Sequence, residues 1–383
     1  LKSILSAQRV AVAPPAVMVL PREQLQVRLE KRPTGPPKEG EDLVFNAHAP
    51  MPEVKAGEAL VRNLVMSLDP ALRTQMSIRT YVEPVPLGTV MRANTVGEVV
   101  EDASGKFKQG DIVQGPGGWQ EFYAMKPKYL QRVAVPTDMP VASCLGLLGG
   151  TGLTAYFGLL RVGQPRAGET VLVSGAAGAT GNVVAQIAKN VVGCRVVGIA
   201  GGAEKCRWLV EGLGLDGAID YKQVGSGEGL NKAIKEHCPK GVDCYFDNVG
   251  GDMLNQALRR MNLFGRVVMC GAISGYNMLG AEDNRVDIKA QYAASIVSSR
   301  LRLQGFIVND YAKETPKALD ELAQWIREGR VRNQETVVQG LDKAGAAFRG
   351  LFEGLNTGKL MVQIAEPQFS NAKVTPVGAT AKL

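Results

Sequence analysis

The sequence predicts an α/β protein in which a doubly wound parallel sheet is joined to a second, β-rich domain. Three observations carry this. The 383 residues exceed what one hydrophobic core usually serves, so two domains are expected. Between residues 17 and 135, short apolar runs are broken by glycine and proline, the pattern of a small barrel or sandwich. From Ser143 onward strands alternate with helical stretches, as in a parallel sheet with crossover helices.

The opening stretch, LKSILSAQRVAVAPPAVMVL, is basic and free of acids. It bears a faint likeness to an organelle targeting peptide, but Pro14 and Pro15 interrupt any helix, so it reads as an arm before the first strand. Runs 17–20 and 24–29 read as strands, 31–43 as a turn-rich loop, and 58–69 as strand again. Runs 95–101, 111–114 and 121–124 continue the β pattern, and 145–163 is a glycine-containing helical connector. Strands follow at 171–174, 195–199, Gly217–Asp220, 244–247, 266–270 and 302–308. Helices are expected from about Thr180, Glu204, Glu228 and Asp252, and near 288–299. Beyond Asp310 come an amphipathic helix over 316–330, a helical stretch over 341–355 and a closing strand over 359–365; the tail from Glu366 reads as loose. The expected division is a β-rich domain over 1–145, a nucleotide-binding domain over 146–310, and a segment over 311–383 that returns to complete the first.

Composition bounds the partners. Apolar residues make up 45% and charged residues 21% of the chain, as in ordinary globular proteins. The net charge of +7 comes from 44 basic and 37 acidic residues, with no basic run longer than two. Such a spread excess favours an anionic ligand and gives no stripe for nucleic acid. The six cysteines show no C-x-x-C spacing, several lie in apolar runs, and a reducing, cytoplasmic location is expected. With His48 and His237 the only histidines, clustered ligands for a metal are not expected. No apolar segment reaches the ~20 residues that span a bilayer, so no membrane partner is expected.

The stretch TVLVSGAAGATG at 170–181 organises the second domain. Val171, Leu172 and Val173 read as a central strand, apolar without alternation. Gly175, Gly178 and Gly181 then turn the chain into a helix whose N-terminus, with free N–H donors and a positive dipole end, suits a phosphate. Ala176 takes the first glycine's place, giving A-x-G-x-x-G. The second strand ends in Ala200-Gly201-Gly202-Ala203, with no acid to accept a bond from a free ribose 2′-hydroxyl. Glu204 and Lys205 follow, and the choice of cofactor turns on which faces the ribose. Lys205 at a helix start and the hydroxyl of Tyr221 suit a 2′-phosphate, so NADPH is expected. No tyrosine has a lysine four positions on, the pair that short-chain dehydrogenases use. Hydride transfer to the β-carbon of a conjugated carbonyl needs neither that pair nor a metal, only a donor for the enolate oxygen.

In this order the motifs resemble the zinc-independent medium-chain reductases known as prostaglandin/leukotriene reductases and NADP-dependent alkenal double-bond reductases. The resemblance runs from about residue 17 to 365, through SLDPALR, GEVV at 97–100, SGAAGATGNVVAQIAK, CYFDNVGG at 244–251, CGAISGYN at 270–277, LQGFIV at 303–308 and NTGK at 356–359. It implies a Rossmann domain beside a GroES-like β-rich domain, and reduction of an α,β-unsaturated aldehyde or ketone by NADPH. It implies that Gly178, Ala179, Thr180 and Gly181 hold the pyrophosphate, Lys205 and Tyr221 the 2′-phosphate, and that Asn248 bonds near a ribose. Cys270, Gly271, Ala272, Ile273, Ser274, Gly275 and Tyr276 would line the nicotinamide side. Phe306, Ile307, Val308 and Asn356 would close over it. Tyr276 is the implied catalytic residue, orienting the substrate carbonyl or supplying a proton; Tyr81 is a candidate for the substrate site. The family is commonly a homodimer through the last strand of the Rossmann sheet. One departure is Ala71, where an aromatic usually follows Asp-Pro, and it predicts a roomier pocket.

Overall fold

The computed structural model describes residues 20–278 and 290–375, less 134 and 136–138. The N-terminal arm, most of the strand expected at 17–20, and the last residues of the chain lie outside the described residues.

The N-terminal strands are β1 (Glu23–Leu29), β2 (Leu43–Pro50), β3 (Ala59–Ser67), β4 (Thr89–Val90), β5 (Thr95–Asp102), β6 (Ile112–Gly115), β7 (Phe122–Met125) and β8 (Gln131–Arg132). The second half supplies β9 (Thr170–Ser174), β10 (Arg195–Ala200), β11 (Gly217–Asp220), β12 (Val242–Asp247), β13 (Met261–Met269), β14 (Arg302–Gly305), β15 (Glu335–Gln339) and β16 (Lys359–Gln363).

The last six named before β15 form one parallel sheet in the order β11-β10-β9-β12-β13-β14, so chain direction across the sheet reverses between β9 and β12. Every residue of β9 is buried, and its side chains alternate between two cores. Val171 and Val173 pack into the core beneath the connector helices, and Leu172 into the core beneath Glu228–His237. That two-sided burial is why the strand reads as an unbroken apolar run. Ligands in such sheets gather at the carboxyl ends beside the switch point.

The β-rich half is closed by the C-terminal segment: β16 pairs with β3 and with β15 in the sheet β15-β16-β3-β5-β6-β8. The same segment reaches across to the parallel sheet, where the Gly358 amide donates to the Ala177 carbonyl at 2.8 Å.

Two expectations are corrected, and one strand is additional. Strand β2 begins where the expected loop ends; its burial does not alternate cleanly, so period two gave no signal. The last parallel strand ends at Gly305 rather than 308, because Phe306 turns inward to fill the space that Gly158 leaves by having no side chain. The tail is not loose through Thr375. Buried Glu98 accepts the amides of Gln368 and Phe369 at 2.7 and 2.8 Å, Val141 and Ala142 donate to the carbonyls of Lys373 and Val374, and Val374 is buried.

Candidate active site

Gly178 ends the turn and opens the helix Ala179–Gln186, whose first amides face a cavity of about 760 Å³ between the two sheets. Gly181 is obligatory: a Cβ there would lie 2.2 Å from the Gly175 carbonyl oxygen. Ala176 is tolerated for the same kind of reason seen from the other side. Its methyl is fully buried against Gly198, where an added Cβ would come within 2.7 Å of it. A glycine across the interface makes room for the alanine in the turn.

At the end of β10, Lys205 lines the cavity while Glu204 is exposed and does not. Lys205 Nζ donates to the Gly354 carbonyl at 2.6 Å, and burial, then the nearby Lys222 ammonium, hold its pKa below the ordinary lysine value. Tyr221 and Lys222 line the same end. Asp220 turns away from the ligand side. Its carboxylate accepts the amides of Gly202 and Lys222 at 2.8 and 3.0 Å, pinning the ends of β10 and β11 together. Two cations, a phenol and a helix N-terminus, with the neighbouring acid occupied, fit the phosphates of NADPH.

The middle of the cavity is built on Asp247, fully buried at the end of β12. One of its oxygens accepts from Ser174 Oγ, Tyr245 Oη, and the amides of Val249 and Gly250, at 2.8 to 3.1 Å. Burial raises its pKa above the ordinary carboxylate value. The result is a rigid corner from which Asn248 donates to the Ser174 carbonyl at 2.7 Å and lines the cavity.

Past β13, Cys270, Gly271, Ile273, Ser274 and Tyr276 line the cavity. Tyr276 Oη accepts the Ala272 amide at 3.2 Å, and burial is the main cause raising its pKa above that of a free phenol, with Cys270, Tyr81 and Asp247 adding to it. Tyr81 faces it from the β-rich side, 61% exposed at the cavity mouth. Ala71 lines the same end. Asn356 and Val308 complete the wall. Ala272, Gly275, Phe306 and Ile307 do not line it; the Phe306 ring packs with the connector core instead.

Sequence reasoning missed several supports. Lys222 sits directly after Tyr221, and its approach to Lys205 was readable only from the pairing of β10 with β11. Lys359, 3% exposed, donates to the Leu68 carbonyl at 2.9 Å and to Asp69 at 3.0 Å, fixing the cavity floor. Arg73, fully buried, donates to the Pro33 and Gly35 carbonyls, to Ser77, and to Asn277 at 3.2 Å, so it braces the residue after Tyr276 from the other half of the molecule.

Comparison with known proteins agrees with this geometry. Residues 25–133 match the family described as the N-terminal domain of oxidoreductase, and residues 179–324 the family described as zinc-binding dehydrogenase. Among the described residues no group of three or more His, Cys, Asp or Glu side chains is placed to hold a metal ion. Prostaglandin reductase 1 of Bos taurus is 41% identical over 316 residues, 82% of this chain and 91% of the relative. The NADP-dependent 2-alkenal reductase of Nicotiana tabacum is 38% identical over 344 residues, 89% of this chain and 97% of the relative. The crystal structure of CurA from Vibrio vulnificus in complex with NADPH superposes with a TM-score of 0.82 at 36% identity, covering 90% of this chain and 100% of CurA. The chain therefore belongs to the medium-chain dehydrogenase/reductase family, as an NADPH-dependent reductase related to the alkenal and prostaglandin reductases.

Proposed function

We propose that the protein saturates the carbon–carbon double bond of α,β-unsaturated aldehydes and ketones. The observation that carries this is Tyr276, a phenol whose raised pKa keeps its proton at neutral pH, held by the Ala272 amide at the wall of the cavity. NADPH, when bound, supplies the hydride. As negative charge gathers on the carbonyl oxygen, Tyr276 donates to that oxygen and stabilises the enolate until the α-carbon takes a proton. Gly178 to Gly181, Lys205 and Tyr221 hold the phosphates, and Asn248, the 270–276 loop, Val308 and Asn356 bound the nicotinamide end. The names of the bovine and tobacco relatives support an enone substrate. Side-by-side initial rates with a medium-chain 2-alkenal and a benzoquinone test the reading: faster alkenal turnover is expected, and quinone turnover that far exceeds it would replace the proposal with a quinone reductase. Tight NADPH binding with no turnover of any enone would instead leave a nucleotide-binding protein without this chemistry.

We further infer a homodimer through the free edge of β14, working in the reducing cytoplasm with its cysteines unpaired. Beside that edge Leu263, Phe264 and Val297 are 61, 64 and 76% exposed. Phe264 also holds φ +61°, a left-handed conformation that bulky side chains rarely adopt without a reason, and Arg300 lies 4.8 Å from its ring centre. Phe264→Asp is expected to halve the mass measured by light scattering; an unchanged dimer, or a wild-type monomer, counts against this edge.

A further inference from the structure

The β-rich end of the cavity carries a cation that the proposed chemistry does not use. Arg92 sits just before β5, between buried Met91 and Ala93, whose backbones are bonded to β1 and to the 118–119 turn. Alternation along an extended chain therefore sends Arg92 to the opposite side from those core residues, where it lines the cavity with Ala71, Gln75, Tyr81, Asn94 and Gln114.

Among the described residues, its guanidinium is held only by uncharged acceptors. One nitrogen donates to Gln75 Oε1 at 3.0 Å and to the Glu83 carbonyl at 3.2 Å, both uncharged acceptors. No carboxylate oxygen lies within 4.0 Å of it among the described residues. The carboxylate of Glu83, whose carbonyl Arg92 bonds, is engaged by Arg79 at 2.9 Å, and Glu98 is taken up by the amides of Gln368 and Phe369. Arg161 and Arg266, by contrast, each meet a glutamate directly. A guanidinium carries five N–H donors in a fixed fork, so Arg92 retains donors for a ligand. The cofactor phosphates have their own cations at the far end, Lys205 and Lys222 just past β10 and β11, and Ala71 shares the cavity wall with Arg92.

We propose that Arg92 is an anion-recognising subsite that selects enones carrying a carboxylate remote from the reacting double bond. Gln75 orients the fork, and the gap at Ala71 admits the chain between carbonyl and carboxylate. The inference rests on the double-bond-reductase reading. The competing role for Arg92 is to brace the 75–85 loop through the same two hydrogen bonds, with no part in selection.

A matched pair separates these roles: an ω-carboxy alkenone and its methyl ester, reduced at saturating NADPH by the wild type and by Arg92→Gln. A charge-assisted hydrogen bond predicts a wild-type preference for the acid of about ten- to hundredfold in kcat/KM, carried by KM and shrinking as salt is added. Arg92→Gln is expected to bring the acid-to-ester ratio close to one, and Arg92→Lys to restore part of it. Equal use of acid and ester by the wild type, or a preference that survives in Arg92→Gln, overturns the subsite. Failure to reduce either compound would sink the double-bond reading instead. Calorimetry of the two compounds with the NADP-loaded proteins then decides Arg92 on its own: tighter acid binding lost in Arg92→Gln supports the subsite, and equal binding overturns it.

Discussion

Tyr276→Phe is expected to lower kcat for an alkenal by about a hundredfold, within the range lost when one oxyanion donor is removed. The dissociation constant of NADPH should change by less than about twofold, because the substitution removes one hydroxyl and leaves the ring in place. Only the protonated phenol can donate. A free phenol titrates near pH ~10, and burial raises Tyr276 above that. Its donor form is therefore full throughout the neutral range and is lost only as pH rises through the elevated value. The wild-type rate should show no loss assignable to this group below about pH 10. An unchanged kcat in the Phe variant would remove Tyr276 from the chemistry.

Lys205→Ala is expected to weaken NADPH binding by about ten- to hundredfold, from the loss of charge-assisted hydrogen bonds to a phosphate. NADH, which lacks the 2′-phosphate, should lose far less. Lys205 already spends one donor on the Gly354 carbonyl and lies close enough to Lys222 for the two charges to oppose each other. A phosphate dianion between them relieves that opposition, which makes its binding more favourable than one lysine alone would provide. The lowered pKa sets the sign of the pH effect: the ammonium is present below that value, and NADPH affinity falls as pH rises through it while NADH affinity does not follow. Titration of both cofactors by fluorescence checks this, and equal losses for the two would show that Lys205 does not read the phosphate.

Much of this was legible in the chain, for definite reasons. The strand at 170–174 is buried on both faces, so its centre, Val171 to Val173, is apolar, and Gly181 after it is enforced by contacts of 2.2 to 2.9 Å that no side chain could occupy. Lys205 was distinguishable from Glu204 only as an alternative, because adjacent residues at a helix start point in different directions and the local sequence does not fix the rotation. Phe306 was misplaced because its burial depends on the missing side chain at Gly158, far away in sequence. Arg73 and Glu98 lie in the motifs that carry the resemblance, but nothing local shows that both are fully buried, Arg73 among groups of 33–35, Ser77 and Asn277 and Glu98 beneath the amides of Gln368 and Phe369. Arg92 gave no local sign at all. Its significance lies in the uncharged acceptors that hold it among the described residues.

The bond from Gly358 to Ala177 has a mechanical consequence. It fastens the returning C-terminal segment to the glycine turn, alongside the bond from Lys205 to the Gly354 carbonyl, and β16 fastens that segment in turn to the β-rich sheet. An opening of the cleft that keeps these bonds would be a rotation about them, with displacement growing with distance from them. The glycine turn lies beside these bonds and would move least, so a nucleotide held there could stay seated while the far wall swings.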